Sequence, residues 1–104
     1  MKFIAFFENN KEDLDETIKV ASQVASLRAK EPDKLPKIEA HYNLAGDLPK
    51  LTNAYKGFVI YEADNIDQMA NLLLLWHPVK SRKWYFLPLY EGEKGLELYM
   101  KMKK

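Results

Sequence analysis

The segment YKGFVIYEA, residues 55–63, decides the fold. Successive side chains of a β-strand point to opposite faces of the sheet, so Phe58 and Ile60 share one face. Val59 and Tyr61 share the other face, and they are apolar as well. A strand whose second face meets water alternates apolar and polar residues instead. The segment therefore predicts a strand that must be covered on both sides.

Three further strands and three helices surround this segment in the sequence. Apolar runs and period-two alternation predict the strands, and three- and four-residue apolar spacing predicts the helices. The order β-α-β-β-α-β with a trailing helix is typical of a single α+β domain, a ferredoxin-like antiparallel sheet with two helices on one face. Along residues 1–104 the predicted elements are strand 2–8, a helix from Asn10 to about residue 30, strand 37–47, a hairpin-like connection marked by Gly46, Pro49 and Asn53, strand 56–63, a helix capped by Asp64 or Asn65 and closed by Pro78, strand 82–90, and a short C-terminal helix over 93–104.

The first and fourth predicted strands repeat the two-sided apolar pattern. In the first strand, Ile4 and Phe6 lie opposite an equally apolar set of side chains. In the fourth strand, Trp84 and Phe86 lie opposite Tyr85. Two helices can cover only one face of a four-stranded sheet, and the other face would be a larger apolar patch than a soluble monomer normally exposes. We expect a second copy of the chain to cover it, in a homodimer that joins the two sheets face to face.

The junction of the third strand and second helix carries a family resemblance. Residues 57–64, GFVIYEAD, resemble the Gly-Phe-x-Ile-x-Glu-Ala-Asp junction of a family of short prokaryotic proteins of unknown function within the dimeric α/β-barrel superfamily. His41, Gly46, Trp76 and the Phe-Leu-Pro-Leu run at residues 86–89 are supporting matches. The resemblance implies a dimeric α/β barrel. Because the superfamily includes cofactor-free monooxygenases, haem-handling enzymes, isomerases and ligand-binding regulators, it implies a shared fold and cavity rather than a shared reaction.

Composition and charge argue against several classes of protein. Lys and Arg number 16 against 15 Asp and Glu, so no net charge favours nucleic acid or an anionic membrane. The chain has no cysteine, which excludes disulfides, thiolate catalysis and zinc–thiolate sites. The N-terminal run FIAFF lacks the features of a signal peptide, and no apolar segment is long enough to span a bilayer. We expect a cytoplasmic protein with no membrane partner and no cofactor.

An RNA-binding strand is the competing interpretation of the central segment. Lys56, Gly57 and Phe58 match the basic–Gly–aromatic opening of a strand that stacks RNA bases. The match ends there, because Val59 replaces a small residue and Ala63 replaces the terminal aromatic. Together with the balanced charge, this favours a buried strand over nucleic-acid binding.

The second strand carries the candidate site residues. Its predicted alternation places Glu39, His41 and Asn43 on a polar face, opposite Tyr42. This stripe is either a solvated sheet edge or the polar wall of a ligand pocket, with Tyr42 and Trp76 as apolar wall. An imidazole beside a carboxylate could act as a general base, which makes His41 the candidate catalytic residue. Glu39 and His41 lack a third ligand, so no metal site is expected.

Two functions remain open on the sequence, which does not decide whether the chain is an enzyme. The first is a homodimer that holds a small, largely apolar molecule or acts only through its surface. The second is a cofactor-independent enzyme of the dimeric-barrel type, monooxygenase- or isomerase-like, with His41 as base. A convergent set of polar groups in an enclosed cavity would favour the second.

Overall fold

The computed structural model describes residues 1–44 and 54–103 and confirms the predicted order of elements. The predicted connection at Gly46, Pro49 and Asn53 lies outside the described residues. Short 3₁₀ turns precede α1 and β2. The strands are β1 (Lys2–Asn10), β2 (Lys37–Asn43), β3 (Ala54–Glu62) and β4 (Lys83–Pro88), and the helices are α1 (Leu14–Lys30), α2 (Ile66–Trp76) and α3 (Gly92–Lys103).

The four strands form one antiparallel sheet with the order β2-β3-β1-β4. Each βαβ unit is split, because β3 lies between β1 and β2, and β1 lies between β3 and β4. Helices α1 and α2 are the two crossover connections. The fold is therefore α+β, and its arrangement is compatible with a ferredoxin-like fold.

The hydrophobic core lies between one face of this sheet and the helices α1 and α2. The sheet contributes Ala5, Phe7, Val59 and Tyr61, all buried. Burying apolar surface in this layer stabilises the fold by roughly 25 cal/mol per Å² removed from water. We call this the helix face of the sheet. Its helical side consists of Val20 and Val24 from α1 and Met69, Leu72 and Trp76 from α2.

The opposite face, which we call the open face, is apolar and uncovered by the described residues. Phe6 on β1 and Leu87 on β4 are both exposed, at 38% and 54%. The Phe6 and Phe58 rings lie 6.0 Å apart, and Tyr42 packs against Phe58 at 5.3 Å between ring centroids. The alternation predicted for the first, third and fourth strands is therefore confirmed, with one set of side chains in the core and the other on the open face.

The alternation predicted for the second strand is wrong at its start. Ile38 pairs with Tyr61, but Ala40 and not Glu39 pairs with the next residue along β3, Ile60. Glu39 is therefore the extra residue of a β-bulge. Since a one-residue shift reverses which face a side chain takes, Ile38 lies on the helix face while Ala40 lies on the open face.

Asn65 is the N-cap of α2, one of the two residues predicted for that role. Its side-chain oxygen accepts a hydrogen bond from the backbone N–H of Gln68 at 3.0 Å. The start of α1 lies later than expected, at Leu14, because a 3₁₀ turn over Lys11–Asp13 comes first. The side chain of Asn10 makes no capping hydrogen bond there.

Gly57 allows the closest approach in the sheet. A Cβ atom at this position would lie 2.2 Å from the carbonyl oxygen of Tyr42 and 2.8 Å from the Phe7 ring. The first of these atoms belongs to the backbone of β2, so relief would require the strands to move apart. The glycine of the central segment is therefore explained by strand packing, without any contact to a nucleic acid.

We expect Gly57→Ala to destabilise the fold by at least about 3 kcal/mol, the upper part of the range for overpacked cores. Gly95→Ala is the matched control, because its Cβ would meet no atom closer than 4.0 Å and it lies inside α3. That substitution should be neutral or stabilising by up to about 1 kcal/mol. Urea denaturation of both variants measures the difference. Equal stability of the two would contradict the close approach at Gly57.

Candidate functional site

A cavity of about 490 Å³ lies between the helix face of the sheet and α1. The floor is formed by strand side chains, among them Phe7, Val59 and Tyr61. Helix α1 supplies small residues to the opposite wall, including Ala21 and Ala25. Their short side chains leave space between the two layers, and most of the lining is apolar.

The structure brings only part of the predicted stripe to this cavity. His41 and Trp76 both line it, His41 with an exposed ring 6.0 Å from the Phe7 ring. Tyr42 lies on the open face of the sheet, 61% exposed. The apolar wall that we expected around Trp76 thus consists of core aromatics and excludes Tyr42.

The side chains of Glu39 and Asn43 contact residues other than His41. Glu39, in the bulge, forms an ion pair with Lys2 at 3.3 Å between Nζ and Oε2. Asn43 accepts a hydrogen bond at 3.1 Å from the hydroxyl of Tyr55, whose side chain lines the cavity. The predicted pairing of His41 with a carboxylate is not formed. Within the described part of the chain, no residue hydrogen-bonds to the imidazole.

Arg82 is the most unusual side chain of the cavity wall. Its guanidinium carbon lies 4.1 Å from the ring centroid of Phe7, 4.0 Å from that of Trp76 and 4.5 Å from that of Trp84. The side chain lines the cavity as well. A desolvated cation over an aromatic ring gains about 2 kcal/mol. Three rings thus hold this guanidinium, and we call the four residues the arginine cage.

Asn9 fixes the orientation of the cage. Its side-chain oxygen accepts a hydrogen bond at 2.7 Å from Nη1 of Arg82. Its side-chain nitrogen donates to the hydroxyl of Thr17 on α1 and to the backbone carbonyl of Asn10. Asn9 is only 2% exposed, and both its side-chain oxygen and its side-chain nitrogen have hydrogen-bond partners. A fully bonded buried amide therefore anchors one edge of the guanidinium.

A second arginine lines the cavity. Arg28 on α1 donates from Nη1 to the backbone carbonyl of Pro36, while its buried Nη2 has no hydrogen-bond partner among the described residues. The buried phenol of Tyr61 lies within electrostatic reach of both guanidinium groups. Burial raises the pKa of Tyr61 to about 12, so this phenol is neutral at physiological pH.

The cavity wall carries positive charge without a matching acid. Of the described residues that line it, none is an aspartate or glutamate. Burial is the main cause that lowers the pKa of Arg82 to about 10, and burial also lowers the pKa of Arg28. Because a pKa of about 10 is well above neutrality, Arg82 remains charged at pH 7. The cavity therefore combines an apolar body with a cationic end.

Arg82 is not among the site residues predicted from the sequence. The basic cluster KSRK, residues 80–83, is expected to be a solvated strand edge, and Lys80 and Lys83 are indeed exposed. Arg82 turns inward to the cage instead. The only signal in the sequence is the arginine among lysines, since a planar guanidinium stacks on aromatic rings better than an ammonium group.

A second cleft, of about 480 Å³, lies on the other side of the cage. It shares Trp76 and Arg82 with the first and adds Pro78 and Lys80. Its wall comes mainly from the loop after α2, whereas the first cavity lies between the sheet and α1. The arginine cage is thus the partition between the two spaces.

Among the described residues, no three His, Asp or Glu side chains come together in a way that could hold a metal ion. No helix within residues 1–44 and 54–103 is long and apolar enough to cross a membrane. Neither a scan against protein-family models nor a search of curated proteins gives a match for this chain.

Replacing Asn9 by alanine should destabilise the protein by about 3 kcal/mol, because it leaves a buried guanidinium N–H unpaired. Asn10→Ala is the matched control. The hydrogen bond from Asn10 to Ser81 comes from the backbone N–H and not from the side chain. Loss of the exposed Asn10 side chain should therefore change stability by no more than about 0.5 kcal/mol. Chemical denaturation followed by tryptophan fluorescence gives both values. If Asn9→Ala proves as stable as Asn10→Ala, Asn9 does not anchor the cage.

Proposed function

We propose that this protein is a homodimer, a dimeric α/β barrel, that binds a small and largely apolar molecule in the cavity between the sheet and α1. The observation that carries the binding role is the cavity itself, about 490 Å³ between the sheet and a face of α1 that includes Ala21 and Ala25. Cavities of roughly 300–1,000 Å³ with mostly apolar walls and a few polar groups are typical ligand sites.

The cavity wall supports an apolar ligand with one polar end. Phe7, Val59 and Trp76 offer aromatic and aliphatic surface, and Arg82 and Tyr61 offer polar groups at one region of the wall. An apolar molecule placed there would cover surface that water now reaches. The polar groups would fix its orientation.

We favour binding over catalysis because of the surroundings of His41. A general base is normally held in position by a second group, usually a carboxylate or a carbonyl. No described residue hydrogen-bonds to the imidazole of His41, and His41 is exposed at the cavity wall. In the function we propose, His41 contacts the ligand or solvent and does not transfer a proton.

The open face of the sheet supports a dimer. All four strands contribute apolar side chains to it, among them Tyr42, Phe58, Tyr85 and Leu87. An uncovered apolar face of this extent is typical of protein interfaces and rare on soluble monomers. A second copy related by a two-fold axis would cover it with the same surface.

The charges around the open face support the same assembly. Lys83, Glu8 and Lys56 form a row across one end of the face through the strand register. Lys2 and Glu39 form an ion pair at the other end. An apolar centre between charged ends is the anatomy of an interface, in which the rim stays in water while the centre is dry.

Helix α3 adds apolar surface that the described part of one chain leaves uncovered. None of its residues is buried, and Leu96, Tyr99 and Met100 are each at least 60% exposed. The three lie at the helical spacing that forms one stripe. In the dimer we propose, this stripe packs against the second copy.

Filling the cavity should prevent binding. We expect Ala25→Phe, on the α1 side of the cavity, to weaken binding of the neutral dye N-phenyl-1-naphthylamine by about tenfold or more, because the new ring occupies ligand space. Ala70→Phe on α2 is the control, since Ala70 is equally exposed and lines no described cavity. Dye fluorescence measures both affinities. A dye that does not bind the parent, or that binds Ala25→Phe equally well, would refute the ligand site.

The dimer should have twice the chain mass of 12.2 kDa in light scattering at micromolar concentration. Leu87→Lys on the open face should shift it to a folded monomer, because a buried unpaired charge at the interface is costly. Leu74→Lys is the control, since Leu74 is 72% exposed on α2, away from the open face. That variant should remain a dimer. A parent chain that is a well-folded monomer would show the dimer to be wrong.

A further inference from the structure

We propose that the ligand of this cavity is an organic carboxylate, with its apolar body against the sheet and its carboxylate on Arg82. This inference rests on the binding function proposed above and names the chemical class of the ligand. It goes beyond a general apolar site, because it assigns the charge of the ligand and the residue that binds it.

The free edge of the guanidinium is the first argument. Nη1 of Arg82 bonds to Asn9, but Nε is buried and has no hydrogen-bond partner among the described residues. Nη2 is not among the buried atoms and bonds to no described residue, so it is the donor that a ligand can reach. A hydrogen bond to a charged group contributes about 1.5–3 kcal/mol. A ligand carboxylate that accepts from Nη2 would pair the cation at this edge.

The missing counter-charge is the second argument. Buried charges in proteins are normally paired with an opposite charge, because burial of an isolated ion is strongly unfavourable. Arg82 forms no ion pair with any described carboxylate, and no described residue of the cavity wall is acidic. The three rings and Asn9 stabilise the cation without neutralising it. An anionic ligand would supply the charge that the wall lacks.

Neighbouring groups add to the positive charge of the wall. Arg28 lines the same cavity and forms no ion pair with a described carboxylate, although its unpaired Nη2 is itself buried. The neutral phenol of Tyr61 lies near both guanidinium groups and is a hydrogen-bond donor. We assign the carboxylate to Arg82 rather than Arg28, because the aromatic cage and Asn9 hold its guanidinium in one orientation. A donor fixed in advance loses less entropy on binding.

The apolar body of the ligand follows from the remaining wall. The cavity holds far more than a carboxylate group, and its apolar lining includes Phe7, Val59 and Trp76. Aromatic rings on the ligand can stack on such walls in offset or edge-to-face arrangements. Aryl-substituted carboxylates are therefore suitable probes.

The test compares matched acids and amides on the unmodified protein. The probes are 3-phenylpropionate and 1-naphthylacetate, each paired with its primary amide, which has the same shape without the charge. Isothermal titration gives the affinities, and tryptophan fluorescence reports the location, because both tryptophans of the chain flank Arg82. We expect each carboxylate to bind about tenfold or more tightly than its amide.

The outcomes separate this inference from the proposed function. If acid and amide bind with equal affinity, the ligand site stands and the carboxylate inference is overturned. If neither binds, the proposed function itself fails. A carboxylate preference without any change in tryptophan fluorescence would place the anion away from Arg82 and would also overturn the inference.

Substitutions of Arg82 test the assignment of the residue. Arg82→Gln should reduce the acid-to-amide preference to about one. Lys83→Gln, which removes an exposed charge from the neighbouring position, should keep the full preference. Should Arg82→Gln fail to fold, Arg82→Lys keeps the cation without the guanidinium, and its preference should fall several-fold. A full preference in the folded Arg82 variant would overturn the assignment.

Discussion

A sheet with two apolar faces and only two helices to cover them is the constraint on which the rest of this molecule depends. Central strands β1 and β3 carry apolar side chains in both directions, so that Phe7 and Tyr61 are buried while Phe6 is exposed. The helices cover one face and leave the other to a second chain in the assembly we propose. The cavity lies on the covered face. Ligand binding and dimerisation would thus use opposite faces of one sheet, and neither would block the other.

The order and type of the elements could be predicted because they depend on local pattern. Alternation and helical spacing are properties of short segments, and the cap at Asn65 is a local signal that the structure confirms. The β-bulge at Glu39 could not be predicted in this way, since period-two alternation continues through the sequence while the backbone inserts an extra residue. The bulge has two consequences. Ile38 moves to the helix face, and Glu39 pairs with Lys2 rather than with His41.

The candidate site depends on contacts between distant parts of the chain, so only some of its residues could be predicted from the sequence. Placing His41 and Trp76 at the cavity needed only their strand and helix positions. The arginine cage joins Phe7, Trp76 and Arg82, which come from β1, the end of α2 and the residue before β4. No local pattern relates these positions, because the sheet order brings them together. A solvated edge is the ordinary expectation for a basic cluster, and a single stacked arginine is the exception.

Burial of the Arg82 charge opposes stability in the ligand-free protein. The pKa of Arg82 falls from its ordinary value in an open chain to about 10 in the fold, chiefly because burial disfavours the charged form. Between these two values the unfolded chain binds more protons, so this group becomes less unfavourable to folding as the pH rises through that range. At neutral pH the burial of its charge therefore weakens the fold. The contacts with Phe7, Trp76, Trp84 and Asn9 offset part of this cost without removing the charge. An apolar residue would fill the same space without that cost, as buried ion pairs replaced by apolar groups have shown. A cation kept there at the expense of stability is best explained by what it binds.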